Sequence, residues 1–130
     1  SNVTFKEKID ILKDIKNSIK DYDLNRFIKN NAKIELIKGD ARKTIPKYIK
    51  SNKHLLISLL YFDFVIYQPT KIALKYFLPR MAKGSIIAFN ELNNDDWPGE
   101  TTALLEKLNL RKYKIDCFSF EPNISFIILK

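Results

Sequence analysis

The sequence predicts an α/β fold: a mainly parallel sheet with helices on both faces, closed by an antiparallel hairpin. Three observations carry this. From residue 32 onward, apolar runs of strand length alternate with segments of helical period, the pattern that builds parallel sheets through crossover helices. One run, 54–64, is apolar without alternation, as expected of a strand covered on both faces. The last two strand-like segments lie too close in sequence for a crossover, so they pair antiparallel.

The elements follow in order. Phe5, Ile9, Leu12, Ile15, Ile19 and Tyr22 are spaced by threes and fours, one face of a helix, with Asn2 or Thr4 in place to cap its start. Leu24, Phe27 and Ile28 predict a further helical turn ending near Asn30-Asn31. "AKIELIKGD" (32–40) alternates around Ile34 and Leu36 and reads as a strand stopped at Gly39-Asp40. "ARKTIPKYIKSN" returns to helical spacing through Ile45, Tyr48 and Ile49, with Pro46 expected in the first turn, where its missing N–H costs nothing. After the strand at 54–64, "PTKIALKYFLPRM" is a helix, with Pro69 near its start and Pro79 and Gly84 helping to end it. "GSIIAFNEL" (84–92) is a third buried strand, "NNDDWPG" (93–99) a polar loop and "ETTALLEKLNL" (100–110) a helix. "KYKIDCFSFE" and "NISFIILK" are strands joined by a turn at Glu121-Pro122-Asn123. One domain is expected over 1–130, helical over 1–31 and made of strand-helix repeats over 32–130, long enough to bury a substantial core.

Composition narrows the function classes. Asp63 interrupts the longest apolar stretch, so no run reaches the ~18 residues of a membrane span, and the start carries no leader-like pattern. The single cysteine, Cys117, excludes an internal disulfide and a cysteine-rich metal site; it is expected to be a buried structural thiol, and a cytoplasmic setting fits. The net charge of +8 is lopsided: residues 1–54 hold 14 Lys+Arg against 7 Asp+Glu, residues 55–130 hold 9 against 8. A basic half can attract nucleic acid or another anion, although lysines on the solvent faces of helices give the same count.

In open α/β sheets, ligands sit beyond the carboxyl ends of the strands. The predicted strands end at Asp40, near Asp63, and at Asn90-Glu91. This explains how a carboxylate is tolerated inside an apolar run: at an open rim Asp63 reaches water, whereas unpaired burial of its charge would be prohibitive. Asp63, Asn90 and Glu91 form a hard oxygen set suited to a divalent cation such as Mg2+, or a set able to position a hydroxyl and take its proton. Asp40 serves either that site or the cap of the following helix. Trp97 either covers a substrate or anchors its loop. His54 opens a strand at the opposite end and is read as a surface residue. With only Gly39, Gly84 and Gly99 in the chain, no glycine-rich strand-to-helix phosphate turn exists.

"IELIKGDARKTIPKYI", "LISLLYFDFVIYQPTKIALKYFLPRMAKGSIIAFNEL" and "WPGE" resemble the macrocin O-methyltransferase-like family of S-adenosylmethionine-dependent sugar O-methyltransferases, over roughly residues 24–108. The resemblance implies a Rossmann-like sheet in which 33–39, 54–62 and 85–90 are the third to fifth strands and the hairpin the sixth and seventh. The first two strands of the methyltransferase fold, with the glycine-rich cofactor turn, are then lacking: the chain is similar to the carboxyl-terminal part of such an enzyme. It further implies that Asp40 and Ala41 border the cofactor's adenine. Asp63 would deprotonate the acceptor and, with Asn90 and Glu91, hold a metal; Tyr67 would contact substrate. Val65 and Asn90 stand where the family usually has aspartates. The reading is therefore a sugar O-methyltransferase part, expected to bind S-adenosylmethionine weakly by itself. Its strand at 54–62, deprived of a neighbour, would expose an edge that invites a dimer, a swapped arrangement or direct pairing with 33–39. The alternative is a non-catalytic basic module engaging an anionic partner such as nucleic acid.

Overall fold

The computed structural model describes residues 10–28 and 31–130. They fall into two compact units, one ending at Ile37 and one running from Lys38 to Lys130.

The first unit holds helix α1 (Ile11–Asn25), capped by the Asp10 side chain on the N–H of Lys13. Phe5, Ile9 and the caps expected at Asn2 or Thr4 lie outside the described residues. No side chain of α1 is buried, and residues 26–28 do not form the expected second helical turn. The expected strand at 32–40 does not form either: those residues belong to no ladder. Its alternation is real, but a strand exists only with a partner. Ile34 instead joins Ile11, Ile15, Ile19 and Tyr22 in lining a shallow groove along α1.

The second unit contains α2 (Ala41–Ser51), β1 (Ile57–Phe62), α3 (Tyr67–Phe77), β2 (Met81–Phe89), α4 (Gly99–Lys107), β3 (Ile115–Phe118) and β4 (Glu121–Ile128). The four strands form one sheet in the order β1-β2-β4-β3, with β1 parallel to β2 and the others antiparallel. This is the expected α/β class with its terminal hairpin. The hairpin turn lies at Ser119-Phe120, not at 121–123, because Glu121 already pairs with Phe118. Pro122 is tolerated in β4 because pairing with β2 begins only at Ser125. Pro46 sits one turn deeper in α2 than expected, so it forfeits the bond its N–H would have made to the Arg42 carbonyl.

One core joins sheet and helices. Phe62, Ile87, Phe89 and Ile127 from the strands pack with Ile45 of α2, Ala73 and Leu74 of α3, and Ala103 and Leu104 of α4. Full burial of each large side chain contributes about 1.5–3 kcal/mol. The Phe62 and Phe89 rings stack at 5.0 Å. These residues all belong to one face of the sheet. On the other, Leu59, Tyr61 and Ile128 are 60, 49 and 47% exposed, so within the second unit helices on both faces are not realised. β1 is half-buried and lies at the sheet edge, not covered on both faces. Cys117 is exposed, correcting the expected buried thiol: β3 is the opposite edge strand, where Ile115 and Phe118 are also open.

Candidate active site

The register of the parallel pair builds the site. Phe62 of β1 lies opposite Phe89 of β2, both anchored in the core. The next residues, Asp63 and Asn90, therefore emerge side by side, and the Asn90 N–H donates to the Phe62 carbonyl at 3.0 Å. Asp63 is exposed just past the strand end, as an acid after an apolar run requires.

A polar network spans the rim. The Asn90 side-chain amide donates to Asp63 Oδ1 at 3.2 Å and to Glu91 Oε1 at 3.5 Å. Its Oδ1 accepts from the Tyr61 hydroxyl at 3.2 Å. Asn94 donates to Glu91 Oε2 at 2.5 Å. Partial desolvation, and next the charge of Asp63, push the Tyr61 phenol above its ordinary pKa, so it remains a donor. Asp63, Asn90 and Glu91 are thus brought together as the sequence suggests.

The other expected site residues are placed separately. Asp40 caps α2: its carboxylate accepts from the Arg42 N–H at 2.9 Å and pairs with the Arg42 guanidinium at 2.7 Å. The Arg42 side-chain hydrogen bond, then its backbone one, hold the Asp40 carboxyl at about 2. Asp40 and Ala41 line an open cleft of about 550 Å3 with Arg42, Phe64, Ile66 and Tyr67. The Tyr67 hydroxyl is engaged, donating to Glu106 and accepting from Lys71, each at 2.6 Å. Lys71 and Glu106 pair at 2.8 Å. The hydrogen bonds Lys71 donates to Glu106, then to Tyr67, raise Lys71, and the Lys71 bond lowers Glu106, so the triad ties α3 to α4. Trp97 is half exposed in the loop between β2 and α4.

Three residues escaped sequence reading. Tyr61 and Asn94 extend the network. Glu100, fully buried, accepts from the N–H groups of Phe64 and Val65 on Oε1 at 3.0 and 3.1 Å, and from that of Glu91 on Oε2 at 3.2 Å. Its only signal was its place in the "WPGE" block; an acid in a helix's first turn ordinarily reads as a solvated partner of the helix dipole.

As a cation site the rim fits poorly. It offers two carboxylates, and Asn90 turns its amide nitrogen to both. No group of three or more His, Cys, Asp or Glu able to hold a metal occurs among the described residues. No helix among them is long and apolar enough to cross a membrane.

No protein-family model matches the chain, and no curated protein does. Solved structures do. The apo structure of CalS11, a TDP-rhamnose 3'-O-methyltransferase of calicheamicin biosynthesis, aligns with TM-score 0.84 and 32% identity, over 90% of this chain and 50% of that one. A crystal structure of CalS11, calicheamicin methyltransferase, gives 0.86 and 31%, over 94% of this chain and 48% of that one. The chain spans about half the length of these structures. At this identity, and over about half of their length, the chain is similar to part of these sugar O-methyltransferases.

Proposed function

We propose that this chain carries the acceptor side of an S-adenosylmethionine-dependent sugar O-methyltransferase, with Asp63 taking the proton from the reacting sugar hydroxyl. The observation that carries this is the meeting of Asp63 with Asn90 and Glu91 beyond β1 and β2. S-adenosylmethionine, when bound, supplies an electrophilic methyl group. Asp40 and Ala41 line the cleft that would border its adenine; a glycine-rich turn has no counterpart among Gly39, Gly84 and Gly99. Asn90 holds Asp63 through its amide and leaves the second Asp63 oxygen for a hydroxyl. Taking that proton, in line with a fixed acceptor, is general-base catalysis combined with orientation. The rim suits a divalent ion poorly, and the proton passes to Asp63 directly.

Saturation-transfer NMR with nucleotide-linked sugars, TDP-rhamnose among them, tests the acceptor side without cofactor. Transfer to the sugar protons is expected, weakened in D63N; no transfer from any such sugar would sink the reading. Micromolar binding of S-adenosylmethionine by calorimetry would overturn the expectation that the chain alone binds it weakly. We further propose self-association through the β1 edge, where Leu56 and Leu59 are 81 and 60% exposed. Light scattering should give a dimer that L59K dissociates; a monomer at all concentrations refutes this.

A further inference from the structure

Glu100, a fully buried carboxylate of the second unit, is a group the proposed chemistry does not use. Its side chain is 0% exposed, and no basic side chain among the described residues pairs with it. Its three partners are backbone N–H groups from two loops far apart in sequence. Phe64 and Val65 follow β1, directly after Asp63, and Glu91 follows β2, directly after Asn90. A buried carboxylate without a cation persists only where donors replace its lost water, and here those donors are the two rims themselves.

Two neighbours show the contact is enforced. Val65 has φ 64°, a left-handed conformation that a β-branched residue adopts only under constraint, and its N–H is one of those Glu100 holds. Gly99 lies so close to the same loop that an added Cβ would stand 2.4 Å from the Tyr67 nitrogen and 2.7 Å from the Val65 oxygen. The first turn of α4 is seated against the backbone after β1, and Thr101 Oγ1 takes the Asn93 N–H of the other loop at 2.7 Å.

We propose that Glu100 is a positioning residue: by clamping both loops, it sets the separation of Asp63 from the Asn90-Glu91 pair, and so whether the Asn90 amide can bridge the two carboxylates. The functional weight of this rests on the role given to Asp63, but the test does not use activity.

The two oxygens serve different loops, so glutamine splits the clamp. In E100Q the amide oxygen can keep Phe64 and Val65, while the amide nitrogen cannot accept from Glu91. Hydrogen exchange read residue by residue by NMR should then accelerate at Glu91 by about tenfold, the equivalent of one hydrogen bond, with Phe64, Val65 and the core amides of Phe62, Ile87 and Phe89 little changed. The Asn90 side-chain amide protons should shift as their bridge loosens. In E100A all three clamped amides should accelerate. Unchanged exchange at Glu91 in E100Q, an unmoved Asn90 side-chain signal, or equal acceleration of every amide including the core overturns the proposal; so does outright unfolding of E100Q, which would make Glu100 a stability residue. Absence of sugar binding by the parent chain, with these signatures intact, would fault the proposed function alone.

Discussion

Asp40 and Glu100 perform the same elementary act, a carboxylate accepting backbone N–H groups near a helix start, in opposite surroundings. Asp40 lies at the surface and shares its charge with Arg42. Glu100 is sealed in the core with three N–H donors and no cation. The surface carboxylate competes with water at every moment, so removing it lets water take its place. Water has no ready access to the donors of the buried one, so their loss is felt in full. Burial, more than the number of bonds, decides which of the two organises the molecule.

That contrast is sharpest in E100A. Three N–H groups lose their acceptor, each unsatisfied donor shielded from water costing about 1–3 kcal/mol, so chemical denaturation should show a loss on the order of 3–9 kcal/mol. A loss too small to resolve would put Glu100 in the same class as the exposed Asp40. G99A comes next: the new methyl meets backbone, which cannot rotate away, and overpacking of this kind costs about 1–3 kcal/mol; thermal melting that matches the parent would mean α4 can lift from the loop freely.

For D40A the effect depends on pH. The folded-state value of about 2 lies below the ordinary 3.8, so the contribution of Asp40 is fully present above about 4 and fades as pH falls towards 2. D40A should melt below the parent at pH 7, the two curves converging near pH 2; a gap that persists at low pH would mean the cap works without its charge. The smallest change is V65G. Relief of a left-handed β-branched residue, about 1–2 kcal/mol, offsets the chain entropy of glycine, about 0.5–1 kcal/mol. Stability within about 1 kcal/mol of the parent is expected, and a loss beyond about 2 kcal/mol would show that the Val65 side chain, not its N–H, matters.

What the sequence revealed follows the same division. Runs ending in Phe62 and Phe89 announce strands, though not the edge position of the first, and the acids and amides just after them announce a rim, because both signals are local. Asp63, Asn90 and Glu91 were legible for that reason. Glu100 was not: its meaning depends on Gly99 letting a helix sit on a loop some thirty-five residues earlier, as the Val65 contact shows. The segment 32–40 carries the alternation of a strand but not the ladder, since pairing is a property of two segments. Cys117 and the hairpin turn were misplaced because edge position and register are set by β4, not by the residues of β3.

The free flank of β1 has one more consequence. Among the described residues its outer hydrogen-bonding row pairs with no other strand, beside an apolar sheet face left half uncovered, so an extended peptide has a place to add. A strand-forming peptide added in trans should then slow amide exchange along Ile57–Phe62.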